Sequence, residues 1–272
     1  MDISELKAIA KELRVDIIRM LTAAGSGHPG GSLSCIDIIV TLFFNKMRHK
    51  PEDPNWSGRD RFVLSKGHCV PALYAALAKA GYFPREELLT LRKLNSRLQG
   101  HPDRNRLPYL EASTGSLGQG LSIALGMALA GKTMKASYRV YCMISDGECQ
   151  AGQVWEAAMA APKYKLDNLC VLLDYNKIQL SGAVDNIMSL EPLLEKWRAF
   201  NWNTMEIDGH DFKAIIRSLD DAEKVKGKPT LILCHTTKGK GVSFMEGKWE
   251  WHGKAPNRDE GERAVQEILA RP

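Results

Sequence analysis

Asp146 stands in Ser145-Asp-Gly-Glu148, and Asn176 stands thirty residues later in Leu173-Asp-Tyr-Asn-Lys-Ile178. A carboxylate, an amide oxygen and the backbone carbonyl of Ile178 make a hard oxygen set. Such a set suits Mg²⁺ that keeps water and phosphate oxygens in its other positions. The spacing is what brings these groups together. Tyr138-Arg-Val-Tyr-Cys-Met-Ile144 and Asn168-Leu-Cys-Val-Leu-Leu-Asp174 both read as buried strands, and Gly152 to Tyr164 between them has helix-forming composition. A right-handed strand–helix–strand crossover returns both strand ends to one edge of a parallel sheet. The residues just after Asp146 are expected to open a helix, whose unpaired N–H groups and dipole favour an anion. A metal with few protein ligands beside such a terminus suits a diphosphate. Taken singly, Asp-Gly and Tyr-Asn are also ordinary turn chemistry. Their joint spacing favours the metal–diphosphate reading.

Four of the seven histidines lie against glycine or proline in loops: His28, His68, His101 and His252. Loop histidines near a phosphate site donate to oxyanions or move protons near neutral pH. His68 follows a strand at the expected ligand edge, and His28 sits in the glycine-rich run Gly25-Ser-Gly-His-Pro-Gly-Gly-Ser32. His49 reads as a surface residue, His210 as a turn or cap, and His235 as core at the end of an apolar strand. Lys238, in Thr236-Thr-Lys-Gly239, reads as a phosphate or substrate contact or as a solvated lysine. Gly115-Ser-Leu-Gly-Gln-Gly120 is only superficially a dinucleotide fingerprint, because no strand precedes it. Its glycines still allow a close backbone approach to a ligand. Glu148 reads as a first-turn acid that favours a helix dipole.

The elements that must position these residues alternate. Helical spacing runs from Ile3 to Ala23, and a largely apolar helix is predicted from Cys35 to Met47. A short strand at Arg61 to Ser65 runs into Lys66-Gly-His68, and a buried helix covers Val70 to Ala80. Residues 95–113 read as loop. The glycine run at 115–120 opens another helix ending near Gly131. After the central crossover come a helix near Glu191 to Phe200, a strand near Asn203 to Ile207, a helix from Asp211 and the strand Thr230 to His235. This pattern predicts an α/β fold with a doubly wound, mainly parallel sheet and helices on both faces. Ligands in such sheets sit beyond the carboxyl ends of the strands. The 272 residues can bury a large core, and 1–272 is expected to be a single domain. No apolar run is long enough for a bilayer, and charges recur through the first dozen residues, which does not fit a signal peptide. The six cysteines are scattered without C-x-x-C spacing, as expected of core residues in a reducing cytoplasm. A net charge of +5 from dispersed lysines and arginines argues against a nucleic-acid surface.

Together these motifs resemble one family. The Asp-Gly…Asn-x-Ile pattern looks like the thiamine diphosphate signature. Gly25-Ser-Gly-His-Pro29, Arg61-Phe-Val-Leu-Ser-Lys-Gly-His68, Gly100-His-Pro102, Thr114-Gly-Ser-Leu-Gly-Gln-Gly120, Trp155-Glu-Ala157 and Trp251-His-Gly253 resemble transketolase segments, in transketolase order. The resemblance implies transfer of a two-carbon ketol unit from a ketose to an aldose, with thiamine diphosphate and Mg²⁺ as cofactors. It implies Asp146, Asn176 and the Ile178 carbonyl as metal ligands. Gly147, His68 and His252 would meet the diphosphate end, while Gly115, Ser116 and Leu117 would line the cofactor site. Lys238 would lie near cofactor or substrate. His28 and His101 would face the sugar hydroxyls, with His28 and His252 assisting proton movement.

Full transketolases continue into a pyrimidine-binding domain, which carries a glutamate that bonds the aminopyrimidine, and a C-terminal domain. This sequence stops shortly after Trp251-His-Gly253. The resemblance therefore implies an N-terminal subunit that needs a second polypeptide bearing those domains, in a heterotetramer of two copies each. Three departures are visible. Ser145 replaces a glycine, Ala151 replaces a glutamate of a carboxylate network, and Tyr175 replaces an asparagine. Alternatives are the α subunit of a 2-oxo-acid dehydrogenase, a deoxyxylulose-phosphate synthase, or a non-catalytic scaffold, since fold alone never fixes function. A sugar phosphate, a sulfonated sugar or a branched sugar phosphate all fit what this half presents.

Overall fold

Apolar residues in four of the five strands alternate between two cores, so the sheet is buried on both faces except at its β4 edge. The computed structural model describes residues 1–271. The strands are β1 (Arg61–Leu64), β2 (Val140–Ser145), β3 (Leu169–Tyr175), β4 (Asn203–Asp208) and β5 (Thr230–His235). They pair in parallel throughout, in the order β1-β2-β3-β5-β4. Leu64, Tyr141, Met143, Cys170, Leu172, Ile232 and Cys234 face one core, shared with α1 (Ile3–Ala24), α2 (Pro29–Thr41), α3 (Val70–Ala80), α8 (Phe212–Lys224) and α9 (Arg258–Ala270). Val63, Val140, Cys142, Ile144, Val171, Leu173 and Leu231 face the other, shared with α4 (Gln119–Thr133), α5 (Gly152–Lys163), α6 (Val184–Met188) and α7 (Leu193–Ala199). Each fully buried aliphatic side chain in these cores contributes roughly 1.5–3 kcal/mol.

The expected doubly wound α/β architecture is therefore observed, with differences at the edges of elements. The helix predicted from Cys35 begins six residues earlier, at Pro29, and every one of its 13 residues is buried. Proline fits a first helical position, where its missing N–H is no loss. Asp146 does not open a long helix directly. A single 3₁₀ turn covers Gly147–Gln150, and α5 starts at Gly152. Helix α9 was not anticipated, although Asn257 and Glu260 form a reciprocal capping box at its start.

Topology sets where a ligand can bind. The chain steps through β1, β2 and β3, crosses to the edge at β4, and returns to β5 beside β3. The loops after β2, β3 and β5 therefore crowd one stretch of the carboxyl edge, the position favoured for ligands in such sheets.

Candidate active site

Those loops line a cleft of about 280 Å³ with His28, Gly31, Lys66, His68, Gly115, Leu117, Ser145, Asp146, Gly147, Asn176, Ile178, Lys238 and His252 on its walls. A larger groove, about 520 Å³, lies between α1 and α9, but its lining holds no histidine and none of the motif residues at the carboxyl edge of the sheet. The chemistry, not the volume, picks the cleft.

Asp146 is 2 % exposed. Its carboxylate accepts from Gly147 N at 2.7 Å and from Lys177 N at 2.5 Å, so it ties the end of β2 to the turn after β3. Burial, reinforced by nearby Asp174, pushes its carboxyl up to about 6. Asn176 sits one residue past β3, with its Oδ1 accepting from Ile178 N at 3.1 Å and its Nδ2 donating to Asp174 Oδ2 at 3.2 Å. The Ile178 carbonyl accepts from Lys238 Nζ at 2.9 Å. A carbonyl has two lone pairs, so one remains. The described residues contain no cluster of three or more His, Cys, Asp or Glu side chains able to hold a metal. A soft or borderline ion is thus poorly served, whereas a carboxylate, an amide oxygen and a carbonyl fit Mg²⁺ completed by water and phosphate.

Glycine brings backbone close to this floor. A Cβ on Gly30 would lie 2.8 Å from Trp251 O and 2.9 Å from Lys238 Cγ, so only glycine lets the start of α2 pack there. Gly115 holds a φ of 155° that side chains rarely adopt, with its backbone turned toward the His101 ring.

Four histidines form the rim. The His28 ring centroid lies 5.3 Å from His68, 6.0 Å from His101 and 5.6 Å from His252, and His68 stacks on His252 at 5.0 Å. Burial holds His28 down to about 4 and His252 to about 3, with neighbouring cations and imidazoles adding to the effect. Burial lowers His101 in the same sense, with Arg92 adding to it. Lys238 is 2 % exposed, and burial lowers its ammonium to about 8. It donates to His252 Nδ1 at 2.9 Å, which leaves the proton of neutral His252 on Nε2. His28 Nδ1 and Gln179 Nε2 are buried polar atoms in the cleft wall with no partner among the described residues. Orphans of that kind are rare, and a polar ligand would satisfy them.

The residues expected at the site thus fall into groups. Asp146, Gly147, Asn176, Ile178, His28, His68, Gly115, Leu117, Lys238 and His252 share the cleft wall, and His101 packs against His28 at its edge. Ser116 lies between Gly115 and Leu117 in the same loop. Of the other histidines, His210 lies in a turn as expected, while His49 and His235 differ from expectation. His49 is half-buried and stacked on Tyr82. His235 is not core: it is half-exposed and paired with Glu206 at 2.7 Å. His210 donates from Nδ1 to buried Asp37 at 2.7 Å and accepts from Thr237 N at 2.9 Å, steadying the loop that carries Lys238.

Two features escaped sequence reasoning. Glu148 is fully buried, and its carboxylate accepts from Ser65 Oγ at 2.5 Å, Gly118 N at 2.8 Å and Ser145 N at 3.2 Å. It staples three loops of the site together. Lys66 and Asp174 form a buried ion pair beneath the cleft. Their only sequence signal is a charge at the end of each of two apolar strands.

Comparison with known proteins places this geometry. The family model described as transketolase, thiamine diphosphate binding domain, matches residues 5–270. The chain is 43% identical over 271 residues to one of the subunits of the apulose-4-phosphate transketolase of Phocaeicola vulgatus, covering 100% of this chain and 96% of that protein. It is 46% identical over 260 residues to the 6-deoxy-6-sulfo-D-fructose transketolase subunit SqwG of a Clostridium species, covering 94% of each. The crystal structure of transketolase from Campylobacter jejuni superposes with a TM-score of 0.93 at 33% identity. That match covers 99% of this chain but only 43% of the longer one.

Proposed function

We propose, for a chain that belongs to the transketolase family through its thiamine diphosphate binding domain, that it is the cofactor-holding half of a two-chain enzyme. The enzyme moves a two-carbon ketol unit from a ketose to an aldose. The observation that carries this reading is the meeting, in one cleft, of the Asp146–Asn176–Ile178 oxygen set with three histidines, one of which has a buried unpartnered nitrogen, and a fourth, His101, at the edge. Residues 1–272 act as one diphosphate-binding unit.

The residues fit the expected group. Asp146, Asn176 and the Ile178 carbonyl would hold Mg²⁺, with diphosphate oxygens and water completing it. Gly147, His68 and His252 would meet the diphosphate. Gly115, Ser116 and Leu117 would line the remainder of the cofactor. When bound, thiamine diphosphate supplies the carbon nucleophile that takes up the ketol unit, and the protein supplies orientation and electrostatics. His28 and His252 are neutral at pH 7, so each can donate from one ring nitrogen and accept at the other. His28 and His101 would bind the sugar hydroxyls, and His28 and His252 would move protons at those oxygens. Lys238 adds positive charge at the cofactor or substrate.

A partner chain would bring the pyrimidine-binding domain and its glutamate, giving a heterotetramer of two copies of each chain. Both relatives matched along nearly their full length carry names with a ketose that ends in an anionic group, a phosphate or a sulfonate. The donor proposed here belongs to that class, the ordinary ketose phosphates included. No helix among the described residues is long and apolar enough to cross a membrane. The unpaired buried cysteines fit the cytoplasm. The test is transfer from xylulose 5-phosphate, and from a sulfonated ketose, to an aldose phosphate. It is run on this chain alone and mixed with its partner. Transfer in the mixture alone is the expected outcome. A stable complex that binds cofactor yet transfers from neither donor would favour a non-catalytic role.

A further inference from the structure

Asp174, the penultimate residue of β3, has a side chain fully shielded from solvent beside the cleft residues Lys66 and Asn176. Its Oδ2 accepts from Ser34 Oγ at 2.6 Å, from Asn176 Nδ2 at 3.2 Å and from the Lys66 ammonium. Its Oδ1 accepts from Thr236 Oγ1. Lys66, 1 % exposed, also donates to the Gly31 carbonyl at 3.3 Å. Four donors, from α2 and from the loops after β1, β3 and β5, thus meet at one carboxylate.

An ion pair buried this deeply is a poor source of stability. Desolvating both charges costs about as much as their attraction returns, and apolar replacements of similar volume are often neutral or stabilising. The pair has one effect that an apolar pair would lack. A side-chain amide has an oxygen end and an N–H end of nearly equal shape, and only the oxygen can ligate a cation. Asp174 takes the N–H end of Asn176. The oxygen end is thereby left at the Ile178 turn, on the cleft wall shared with Asp146. The Ile178 N–H alone would hold the oxygen at one point and leave the amide free to pivot about it.

We propose that Asp174, balanced by Lys66, is a positioning residue for the divalent cation: it fixes the sense of the Asn176 amide so that oxygen faces the metal. This rests on the Mg²⁺–diphosphate reading of the cleft. Outer partners of metal ligands typically cost about 10–100-fold in metal affinity when removed.

The test uses two charge-neutral double variants in the assembled enzyme. Lys66→Met/Asp174→Leu removes the acceptor for Asn176 Nδ2. Lys66→Met/Asp174→Asn keeps a carbonyl oxygen there. Both lose Lys66, so its own effect on the diphosphate cancels in the comparison. Mn²⁺ is titrated at saturating thiamine diphosphate, with free Mn²⁺ read by electron paramagnetic resonance, and Tm is measured alongside. The leucine variant is expected to bind Mn²⁺ about 10–100-fold more weakly, with Tm unchanged or raised. The asparagine variant should stay within about threefold of wild type, a difference under about 1 kcal/mol. Equal weakening of the two variants, or leucine-variant affinity indistinguishable from wild type, would overturn the proposal. Should leucine not be tolerated, Lys66→Met/Asp174→Ala gives the same comparison without added bulk. Wild-type enzyme that binds no Mn²⁺ would instead remove the cofactor reading itself, and the proposal with it.

Discussion

The floor of the cleft and its rim are built on opposite principles. On the floor, Asp146, Asp174, Glu148 and Lys66 are buried charges, and each is met by two or more hydrogen-bond partners. On the rim, the histidines touch each other ring to ring, and His28 keeps a buried nitrogen without a partner among the described residues. A saturated polar network is stiff and costly to disturb. An unsaturated one is held ready for groups that arrive from outside. The floor is therefore a fixed seat, and the rim is a set of neutral donors and acceptors, which the proposed function assigns to the substrate.

Breaking the floor should have the largest effect. Asp146→Ala removes the only carboxylate of the proposed cation site and is expected to abolish Mg²⁺-dependent thiamine diphosphate binding, a loss of more than about 100-fold. The strand beneath it stays packed, so circular dichroism should be unchanged. Calorimetric titration checks this, and wild-type affinity in the variant would remove Asp146 from the metal site. Next comes Glu148→Ala, which strands three donors that now end on one carboxylate. Buried donors left unpaired cost about 1–3 kcal/mol each where they cannot relax, so a loss of about 3 kcal/mol overall is expected. For a chain of this size that lowers Tm by about 6–12 °C. A calorimetric Tm within about 2 °C of wild type would mean that Glu148 is not the staple described.

The smallest effect belongs to the rim. Burial lowers His28 to about 4 and His252 to about 3, from an ordinary value of 6.5. As pH falls through 6.5 the unfolded chain takes up a proton on each, and the folded chain does not until about 4 and 3. Stability from keeping the rings neutral is thus complete above pH 7 and is lost progressively as pH falls from 6.5 toward 4. Both rings are partly exposed, so the effect is discounted to a fall in Tm of about 2–4 °C between pH 7 and 5. His252→Gln should remove part of that fall while still offering Lys238 an oxygen acceptor. An identical pH profile in wild type and variant would show that the folded state does not hold His252 neutral.

The same contrast governs what could be read from the sequence. The meeting of Asp146, Asn176 and Ile178 was legible because a single local unit carries it: two apolar strands, one crossover helix and two punctuating motifs. The histidines were legible as loop residues, yet the convergence of His68, His101 and His252 to within about 6 Å of His28 brings together four separate segments and needed the fold. Pro29-Gly-Gly31 suggested a loop, because glycine usually interrupts helices. Here Gly30 is required by the close approach of Lys238 and Trp251, and proline opens the helix. Glu148 read as a helix-dipole residue because its real partners, Ser65 and Gly118, are 83 and 30 positions away. The Lys66–Asp174 pair spans 108 positions, and no local pattern could announce it. His235 was misplaced for the opposite reason: it ends an apolar strand next to the edge strand β4, where Glu206 reaches it from outside. Charges that act locally were visible, and charges that act across the sheet were not.

The most direct test of the cofactor seat is a calorimetric titration of thiamine diphosphate into the assembled enzyme, once with Mg²⁺ and once with the metal chelated. Saturable binding, one cofactor per copy of this chain, is predicted with Mg²⁺ and none without it. Binding that is indifferent to the metal, or no binding in either condition, would contradict the metal–diphosphate reading of the cleft.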